Sequence, residues 1–452
     1  MCGEVAVKDA VVRSGEVGAG ITLQSTDTET LYNGDASIKY VYSSDNASEV
    51  TIASDASTVV TVNYVAKAKI TYTVNAVLAN ETVLGECASV SGYEGETLSV
   101  YWSKYVKFGD KWYVADAPFY QGEIIASGTK NVTYAESDID YFIECENMNG
   151  VRTDRWVLET GENNSGYRKI RINNYYTTIY TATFEEGGVY SLALPYNNSN
   201  STNHTYQVKI KNGNEYTTVA EWTISNGSNT YKLDNIVIPA GCALAISCDG
   251  ISGNSNARMD YLTLKKITSV SATLANTYGT IASTYALDCA NLPAGVTAYK
   301  VTEISNTEVT LTQVTEAVAA GTGLILKGTG GETYNIPVVA TGTDISGTNK
   351  LKAAVTATEI AAEAAYILKA NEFHKVTTAS TVPAGKAYLL ASDVPSSARD
   401  LNFAFDDGDA TAISSVKSEV RDAESVYNLQ GQRVEQPTKG LYIVNGKKVV
   451  IK

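Results

Sequence analysis

Apolar and polar residues alternate along most of the chain, with the period of two that is typical of half-buried β-strands. Clear examples are residues 69–74, 206–210 and 308–312. Strand-like segments recur about every 8–12 residues, with Gly, Asn, Ser or Asp between them, which is typical of β-sandwiches. We therefore predict an all-β chain of tandem β-sandwich domains. The best helix candidate is the Ala- and Glu-rich stretch 356–368.

Local similarities divide the chain into five predicted units. Residues 1–66 and 67–137 are two loose copies of a small β-rich repeat, each with a Lys-Tyr-Val segment inside it. The second copy also carries Lys111-Trp112-Tyr113-Val114. It resembles small repeat modules of bacterial surface proteins, which are mainly spacers or adhesive units. The remaining units are, in order, 138–266, 267–408 and 409–452.

The unit 267–408 carries a recurring turn before a strand. Val318-Ala319-Ala320-Gly321 and Val382-Pro383-Ala384-Gly385 each lead into an apolar segment. Glycine accepts the positive φ that tight turns need, so we predict an internal repeat of turns into buried strands. The unit resembles a β-domain found near the C-terminus of secreted and surface proteins of Bacteroidetes. No activity follows from that resemblance.

Charge and hydropathy narrow the possible partners. The 452 residues include 35 Lys and Arg against 49 Asp and Glu, a net charge of −14. Such a chain repels phosphate backbones, so no nucleic-acid partner is expected. No apolar stretch reaches the ~18 residues of a membrane span, and no signal peptide is recognisable. Either the chain is cytoplasmic or its true N-terminus lies upstream, and the C-terminal pattern favours the second reading.

Reactive side chains are few. Six cysteines are too sparse for a disulfide scaffold. Cys242 and Cys248 would share a face of one strand, and we predict buried free thiols, with a disulfide between them left open. His204 and His374 are in contexts typical of surface residues. Hydrolase-elbow, metalloprotease, Walker and dinucleotide motifs are absent, so we predict that the chain is not an enzyme, with a hidden glycan-active enzyme as the alternative.

Two glutamates are the best candidates for metal ligands. Glu144 and Glu146 are two apart in a predicted strand, which directs both carboxylates to one face. Adjacent like charges are unfavourable unless a cation lies between them, and calcium prefers oxygen ligands. Asp260 supplies a third carboxylate if the last strand of this unit pairs with the first. The alternative is a solvated strand face, the commoner fate of a Glu-x-Glu pair.

Three separated motifs in residues 138–266 point to one family. They are Glu144-Cys145-Glu146-Asn147, Gly188-Val189-Tyr190 and Asp260-Tyr261-Leu262-Thr263-Leu264. By these motifs and by its length, the unit resembles carbohydrate-binding modules of families six and thirty-five. The resemblance implies a central jelly roll and a structural Ca²⁺ held by Glu144, Glu146 and Asp260. The glycine-rich segment that follows the family's first strand is matched poorly by residues 161–166.

Such modules bind sugars through aromatic faces that stack on pyranose rings and polar groups that reach the hydroxyls. Tyr175 and Tyr176 follow a turn-like Asn-Asn pair, and Trp222 is a further candidate. The family places a ligand asparagine close to the last strand, which favours Asn256. Secondary candidates are Trp156, Tyr196 and Asn254. For each aromatic residue the alternative is a place in the core.

The end of the chain predicts a tight hairpin. Asn445-Gly446 suits a type I′ turn between 441–444 and 447–452. Together with 426–434 and 437–440, this end closely resembles the C-terminal sorting domain of proteins exported by Bacteroidetes type IX secretion. The alternative is an ordinary closing β-unit.

Two functional readings follow. In the first, the chain is secreted or held at the outer cell surface, and its central jelly roll binds a plant or host polysaccharide without catalysis, as the tail of a glycan-degrading enzyme. In the second, it is a structural or adhesive surface protein without sugar binding. Neither reading fixes the oligomeric state.

Overall fold

A computed structural model describes residues 1–151, 156–172, 178–199, 204–224, 226–248, 257–406, 426–428, 433–434, 439–444 and 447–451. These residues form strands and no α-helix, which confirms the predicted all-β class. Among them, no helix is long and apolar enough to cross a membrane. Five short 3-10 helices lie at Ser25–Asp27, Ala47–Glu49, Cys145–Asn147, Ser165–Tyr167 and Ala391–Asp393.

Residues 1–137, called the N-terminal region below, build one main sheet and two small ones. The strands are β1 (Leu31–Tyr32), β2 (Ile38–Asp45), β3 (Val62–Val77), β4 (Val83–Tyr93), β5 (Leu98–Tyr101), β6 (Tyr105–Phe108), β7 (Lys111–Val114), β8 (Tyr120–Ile124), β9 (Gly128–Thr133) and β10 (Ala135–Ser137). The main sheet has the order β1-β2-β3-β4, with β9 parallel to β3. The small sheets are β5-β8 and β6-β7-β10.

Strand β3 crosses the boundary predicted between residues 66 and 67. Its first half pairs with β2, and its second half pairs with β4 and β9. Buried apolar side chains occur in both halves, at Tyr64, Ile70 and Val74, so both halves have core to cover. The two predicted repeats therefore share strand β3, and the division of the chain into five units stays a prediction.

Residues 138–266 fold as a two-sheet β-sandwich. Its strands are β11 (Tyr141–Glu144), β12 (Trp156–Thr160), β13 (Arg168–Ile172), β14 (Thr178–Tyr180), β15 (Gly188–Asn198), β16 (His204–Asn212), β17 (Glu215–Ile224), β18 (Gly227–Ile238), β19 (Ala243–Cys248), β20 (Ala257–Met259) and β21 (Tyr261–Lys266). One sheet has the order β11-β21-β15-β20-β13-β12, with β18 also on β15, and the other is β14-β19-β16-β17. Leu192 and Ile246, from opposite sheets, are buried in one core. Cys242 is a buried free thiol, as predicted, and the Cys248 side chain lies outside the described residues.

Residues 267–406 form four further sheets. The strands are β22 (Ser269–Thr273), β23 (Tyr278–Ile281), β24 (Ala286–Asp288), β25 (Thr297–Ile304), β26 (Glu308–Val314), β27 (Ala317–Val318), β28 (Leu324–Lys327), β29 (Thr333–Val339), β30 (Leu351–Ala354), β31 (Thr358–Ile360), β32 (Ala365–Lys369), β33 (Glu372–Lys375), β34 (Ser380–Val382), β35 (Lys386–Leu390) and β36 (Asn402–Phe405). The sheet orders are β22-β29-β24-β27, β23-β28-β25-β26-β36, β30-β35-β32-β33 and β31-β34.

The predicted turns of this unit are confirmed, and the predicted helix is wrong. Gly321 and Gly385 have φ angles of 78° and 81°, and strands β28 and β35 follow them. The stretch 356–368 instead forms β31 and the start of β32. Ala365 and Tyr366 are buried in the sheet core, and this tertiary packing outweighs the helix preference of Ala and Glu.

The C-terminal strands form a small antiparallel sheet of β37 (Val426–Tyr427), β38 (Gly440–Val444) and β39 (Lys447–Ile451). Val444 pairs with Lys447, so the predicted pairing on either side of a two-residue connection is confirmed. Asn445 and Gly446 themselves lie outside the described residues.

Candidate functional site

The three predicted metal ligands meet where the first and last strands of the sandwich pair. Strand β11 runs antiparallel to β21, with Glu144 opposite Tyr261. The Cys145 amide donates to the Asp260 carbonyl at 2.9 Å. The predicted pairing of first and last strands is therefore confirmed, and it brings Asp260 beside the Glu-x-Glu segment.

Glu144 and Glu146 reach this place through a turn rather than through strand alternation. Glu144 is the last residue of β11, and Cys145–Asn147 forms a 3-10 helix. The fully buried Cys145 side chain belongs to the sandwich core and holds the turn there. Both flanking carboxylates line one cavity outside that core. The predicted convergence holds, but the strand geometry given for it does not.

Each of the three carboxylates keeps one buried oxygen without a hydrogen-bond partner. These atoms are Glu144 Oε2, Glu146 Oε2 and Asp260 Oδ1. Glu144 is only 9% exposed. Leaving one buried polar atom unpaired costs on the order of 1–3 kcal/mol, and more for a charged group. The arrangement therefore needs either bound protons or a cation.

The acid–base properties of the group reflect this crowding. Burial, and then the charge of Glu146, raise the pKa of Glu144 to about 8 and the pKa of Asp260 to about 7. Burial also raises the pKa of Glu146. Ser165 opposes these shifts: its hydroxyl donates to Glu144 Oε1 at 2.6 Å, and its amide donates to Asp260 Oδ2 at 3.1 Å.

Two of the three carboxylates, those of Glu144 and Glu146, line a cavity of about 220 Å³ between the sandwich and the N-terminal region. Its walls are formed by Cys87, Tyr101, Trp102, Ser103, Glu144, Glu146, Asn147, Gly166 and Arg168. Gly166 has a φ of 58°, and a Cβ built there would lie 3.6 Å from Glu144 Oε1 and 3.8 Å from Glu146 Oε1. One carboxylate oxygen of each glutamate therefore lies beside Gly166, and oxygen atoms are the ligands that a hard cation prefers.

The three carboxylates are more widely spaced than the ligands of a closed metal site. Within the described chain, Glu372, His374 and Asp400 are the group whose ligand atoms all lie within 4.8 Å of one another. Those side chains are substantially exposed, and Asp400 is hydrogen-bonded to His374 Nδ1 at 2.8 Å. Glu144, Glu146 and Asp260 would have to draw together to share one ion.

Sequence reasoning missed the residues that surround the carboxylates. Ser165 and Gly166 lie in the segment 161–166, which matches the family's glycine-rich segment poorly. That poor match was the feature of the sequence that could have drawn attention to them. Trp102 and Ser103 come from the N-terminal region, and no motif connects them with the sandwich.

Two of the aromatic sugar-binding candidates, Trp222 and Tyr196, are buried in the core of the sandwich. Trp222 is only 8% exposed and stacks on Tyr231, with ring centroids 4.2 Å apart and an interplanar angle of 11°. Tyr196 is equally buried in the same core. Burial leaves neither ring free for a pyranose, which argues against their predicted role. Tyr175, Tyr176, Asn254 and Asn256 lie outside the described residues, and only the backbone of Trp156 is described.

Several strand ends lie together at one end of the larger sheet of the sandwich. The residues in register there are Trp156 with Ile172, Arg171 with Arg258, and Asn198 with Ala257. From this end the chain continues into 173–177, which carries Tyr175 and Tyr176, and it returns from 249–256, which carries Asn256. The segments that hold the undescribed candidates therefore attach to neighbouring points of one sheet.

A charged cluster lies beside these strand ends. Arg258 Nε donates to Glu159 Oε2 at 2.6 Å, and Arg171 Nε lies 3.1 Å from Glu159 Oε1. Arg258 Nη1 also donates to Ser199 Oγ at 2.9 Å. The three charged side chains remain between 20% and 29% exposed, so this surface offers fixed donors and acceptors to a polar ligand.

No protein-family model matches the chain, and no curated protein matches it. Among solved structures it is similar to the CBM36-1 domain of a multidomain xylanase from the hindgut metagenome of Trinervitermes trinervoides, at 18% identity over 28% of this chain and 97% of that chain, with a TM-score of 0.22. It is also similar to the C-terminal CBM6 of a marine laminarinase from Zobellia galactanivorans, at 13% identity over 28% and 98%, with a TM-score of 0.23. A carbohydrate-binding module from Cellvibrio mixtus lichenase 5A, solved with cellotriose, is 11% identical over 28% and 98%, with a TM-score of 0.23. These likenesses are remote, so a function has to be argued from the site.

Proposed function

We propose that residues 138–266 are a non-catalytic carbohydrate-binding module whose first and last strands are held together by a calcium ion. The observation that carries the proposal is the convergence of three carboxylates, each with an unpartnered buried oxygen, at the junction of β11 and β21. Glu144, Glu146 and Asp260 would hold the ion, and Ser165 orients two of them. Calcium suits this site because all the donors are oxygen atoms, and a divalent charge would offset the repulsion between them.

The sugar site is proposed for the end of the larger sheet at which β12, β13, β15 and β20 end side by side. Tyr175 and Tyr176 would stack on pyranose rings, and Asn256 would reach a hydroxyl. Arg258 is already fixed by Glu159 near this end and can donate to a sugar without losing further side-chain freedom. Trp222 is not part of the proposed sugar site, because its ring is buried.

The protein would act outside the cell, secreted or on the outer surface, with a plant or host polysaccharide as its partner. The three-stranded C-terminal sheet and its hairpin are compatible with a sorting domain of the type IX secretion pathway. In that setting the chain would be the tail of a glycan-degrading enzyme. A structural or adhesive role without sugar binding is the alternative.

Calcium binding is tested on the full chain by isothermal titration after chelation. The unaltered protein and Asp400→Asn should bind calcium, whereas Asp260→Asn should bind it far more weakly. Asp400 is the matched control, because it belongs to the other compact group of possible ligands. A loss of binding in Asp400→Asn alone would move the metal to that group.

Sugar binding is tested by affinity gel electrophoresis on a panel of plant and host polysaccharides. Tyr175→Ala and Tyr176→Ala should migrate faster than the unaltered chain in the gel that retards it. Tyr216→Ala is the control, since Tyr216 is 41% exposed on the other sheet of the same sandwich. If no polysaccharide retards the unaltered chain, the structural or adhesive reading replaces the proposal.

A further inference from the structure

The cavity that Glu144 and Glu146 line lies on a seam between the sandwich and the N-terminal region. One part of this seam is aromatic: Tyr105 and Trp112 pack on Phe142 of β11, with ring centroids 5.0 and 6.0 Å away. Trp112 Nε1 also donates to the Asp140 carbonyl at 3.1 Å. The other part of the seam surrounds the 3-10 turn Ser165–Tyr167 and lies directly against the carboxylates.

Three hydrogen bonds connect that turn and its approach to the N-terminal region. The Phe119 amide donates to the Glu162 carbonyl at 2.6 Å. The Gly166 amide donates to the Trp102 carbonyl at 3.0 Å, and the Lys104 amide donates to Ser165 Oγ at 2.7 Å. This short segment of the sandwich is therefore tied by three hydrogen bonds to a region outside the sandwich.

Ser165 is the residue through which the seam and the carboxylates meet. Its side chain is fully buried. Its hydroxyl accepts from Lys104 and donates to Glu144, while its amide donates to Asp260. Because the Lys104 amide occupies an acceptor position of the hydroxyl, the hydroxyl proton is directed at Glu144. Undocking the N-terminal region would remove that constraint.

We propose that the N-terminal region is part of the cation site, so that cation binding and the docking of this region on the sandwich stabilise each other through Ser165. The inference rests on the proposed function, since it requires that a cation binds. Docking fixes the turn whose Ser165 donates hydrogen bonds to Glu144 and Asp260. A cation that fixes those two carboxylates in turn holds the turn in the geometry that the N-terminal region recognises. Such coupling is reciprocal by thermodynamic necessity.

The first test alters the seam without touching the cavity. Trp112→Ala removes the ring contact with Phe142 and the hydrogen bond to the Asp140 carbonyl. Glu136→Gln is the control, because Glu136 lies on the neighbouring strand β10 and forms an exposed pair with Lys111 away from the seam. In calcium titrations of the full chain, Trp112→Ala should weaken affinity about fivefold or more, and the control should bind as the unaltered chain does.

The second test needs no substitution. Hydrogen exchange of the Lys104 and Phe119 amides in the unaltered chain should slow when calcium is added, although both residues lie outside the sandwich. Ser165→Ala should abolish the slowing and Ser165→Thr should restore it, because threonine keeps the hydroxyl.

The outcomes separate the inference from the proposed function. Equal calcium affinity of Trp112→Ala and the unaltered chain, or exchange at Lys104 and Phe119 that ignores calcium, overturns the coupling while leaving the cation site intact. A complete absence of calcium binding by the unaltered chain removes the cation site and the coupling with it.

Discussion

Replacing Glu144 by Gln asks whether this buried carboxyl holds a cation or only a proton. Glutamine keeps the side-chain volume, can still accept the hydroxyl of Ser165 through its amide oxygen, and does not ionise. Without metal, burial holds the pKa of Glu144 near 8 in the folded protein, against an ordinary value of 4.5. The folded state then binds this proton more tightly than the unfolded state.

The linkage between proton binding and folding determines how the free energy of unfolding changes with pH. The free energy of unfolding of the metal-free protein falls as the pH rises from about 4.5 towards 8, because the unfolded state loses the proton first. At pH 7, about 2.5 units above the unfolded value, the penalty is about 3.5 kcal/mol at about 1.4 kcal/mol per unit. For a domain of this size that is roughly 10 °C in melting temperature. Glu144→Gln removes this penalty.

Melting temperatures are measured by differential scanning calorimetry at pH 5 and pH 7, with chelator and with excess calcium. The samples with chelator test the protonation penalty, and those with calcium test metal binding. In chelator at pH 7 the variant should melt higher than the unaltered chain, and the gap should nearly close at pH 5. With calcium at pH 7 the order should reverse, because only the unaltered chain offers the full carboxylate set. The reasoning would be refuted if the variant melts lower than the unaltered chain in chelator at pH 7. It would also be refuted if calcium raises the melting temperature of the variant as much as that of the unaltered chain.

Three further predictions concern other residues. Gly385→Ala should lower the free energy of unfolding, measured by urea denaturation, by roughly 1–2 kcal/mol, because φ is 81° there. The control Gly347→Ala should leave this free energy unchanged, because a Cβ at Gly347 would meet no neighbouring atom. Asn349→Ala should cost about 2–4 kcal/mol in the same assay, because the buried amide accepts from two backbone amides and donates to one carbonyl. Full burial raises the pKa of the Cys145 thiol, so Ellman's reagent should label Cys145 only after denaturation, and rapid labelling of the native protein would contradict the burial.

The carboxylate group was accessible from the sequence because its chemistry leaves a local trace. Glu144 and Glu146 stand two residues apart, and like charges so close require a physical reason. Ser165 leaves no such trace: its contacts with Lys104 and Asp260 join residues 61 and 95 positions apart. No pattern along the chain records contacts of that range, so the contribution of the N-terminal region emerges only in three dimensions.

The failed predictions have a common physical cause, since local patterns do not report which face is covered. Trp222 was a candidate for sugar stacking, but it lies on β17 and its ring faces Tyr206 and Tyr231 in the core. The Ala- and Glu-rich stretch has helical propensity, yet burial of Ala365 in the sheet decides its structure. By contrast, the turns at Gly321 and Gly385 were predictable because a positive φ is a strictly local requirement.

The pairing of β11 with β21 also determines how the sandwich would respond to tension along the chain. Tyr141 lies opposite Leu264, so the chain enters and leaves the sandwich side by side. Pulling its neighbours apart would load these two strands as a zipper, opening backbone pairs in succession from that end. Glu144 and Tyr261 form the closed end of the zipper. An ion held there would not resist the first steps of opening, but it would set the point at which peeling stops.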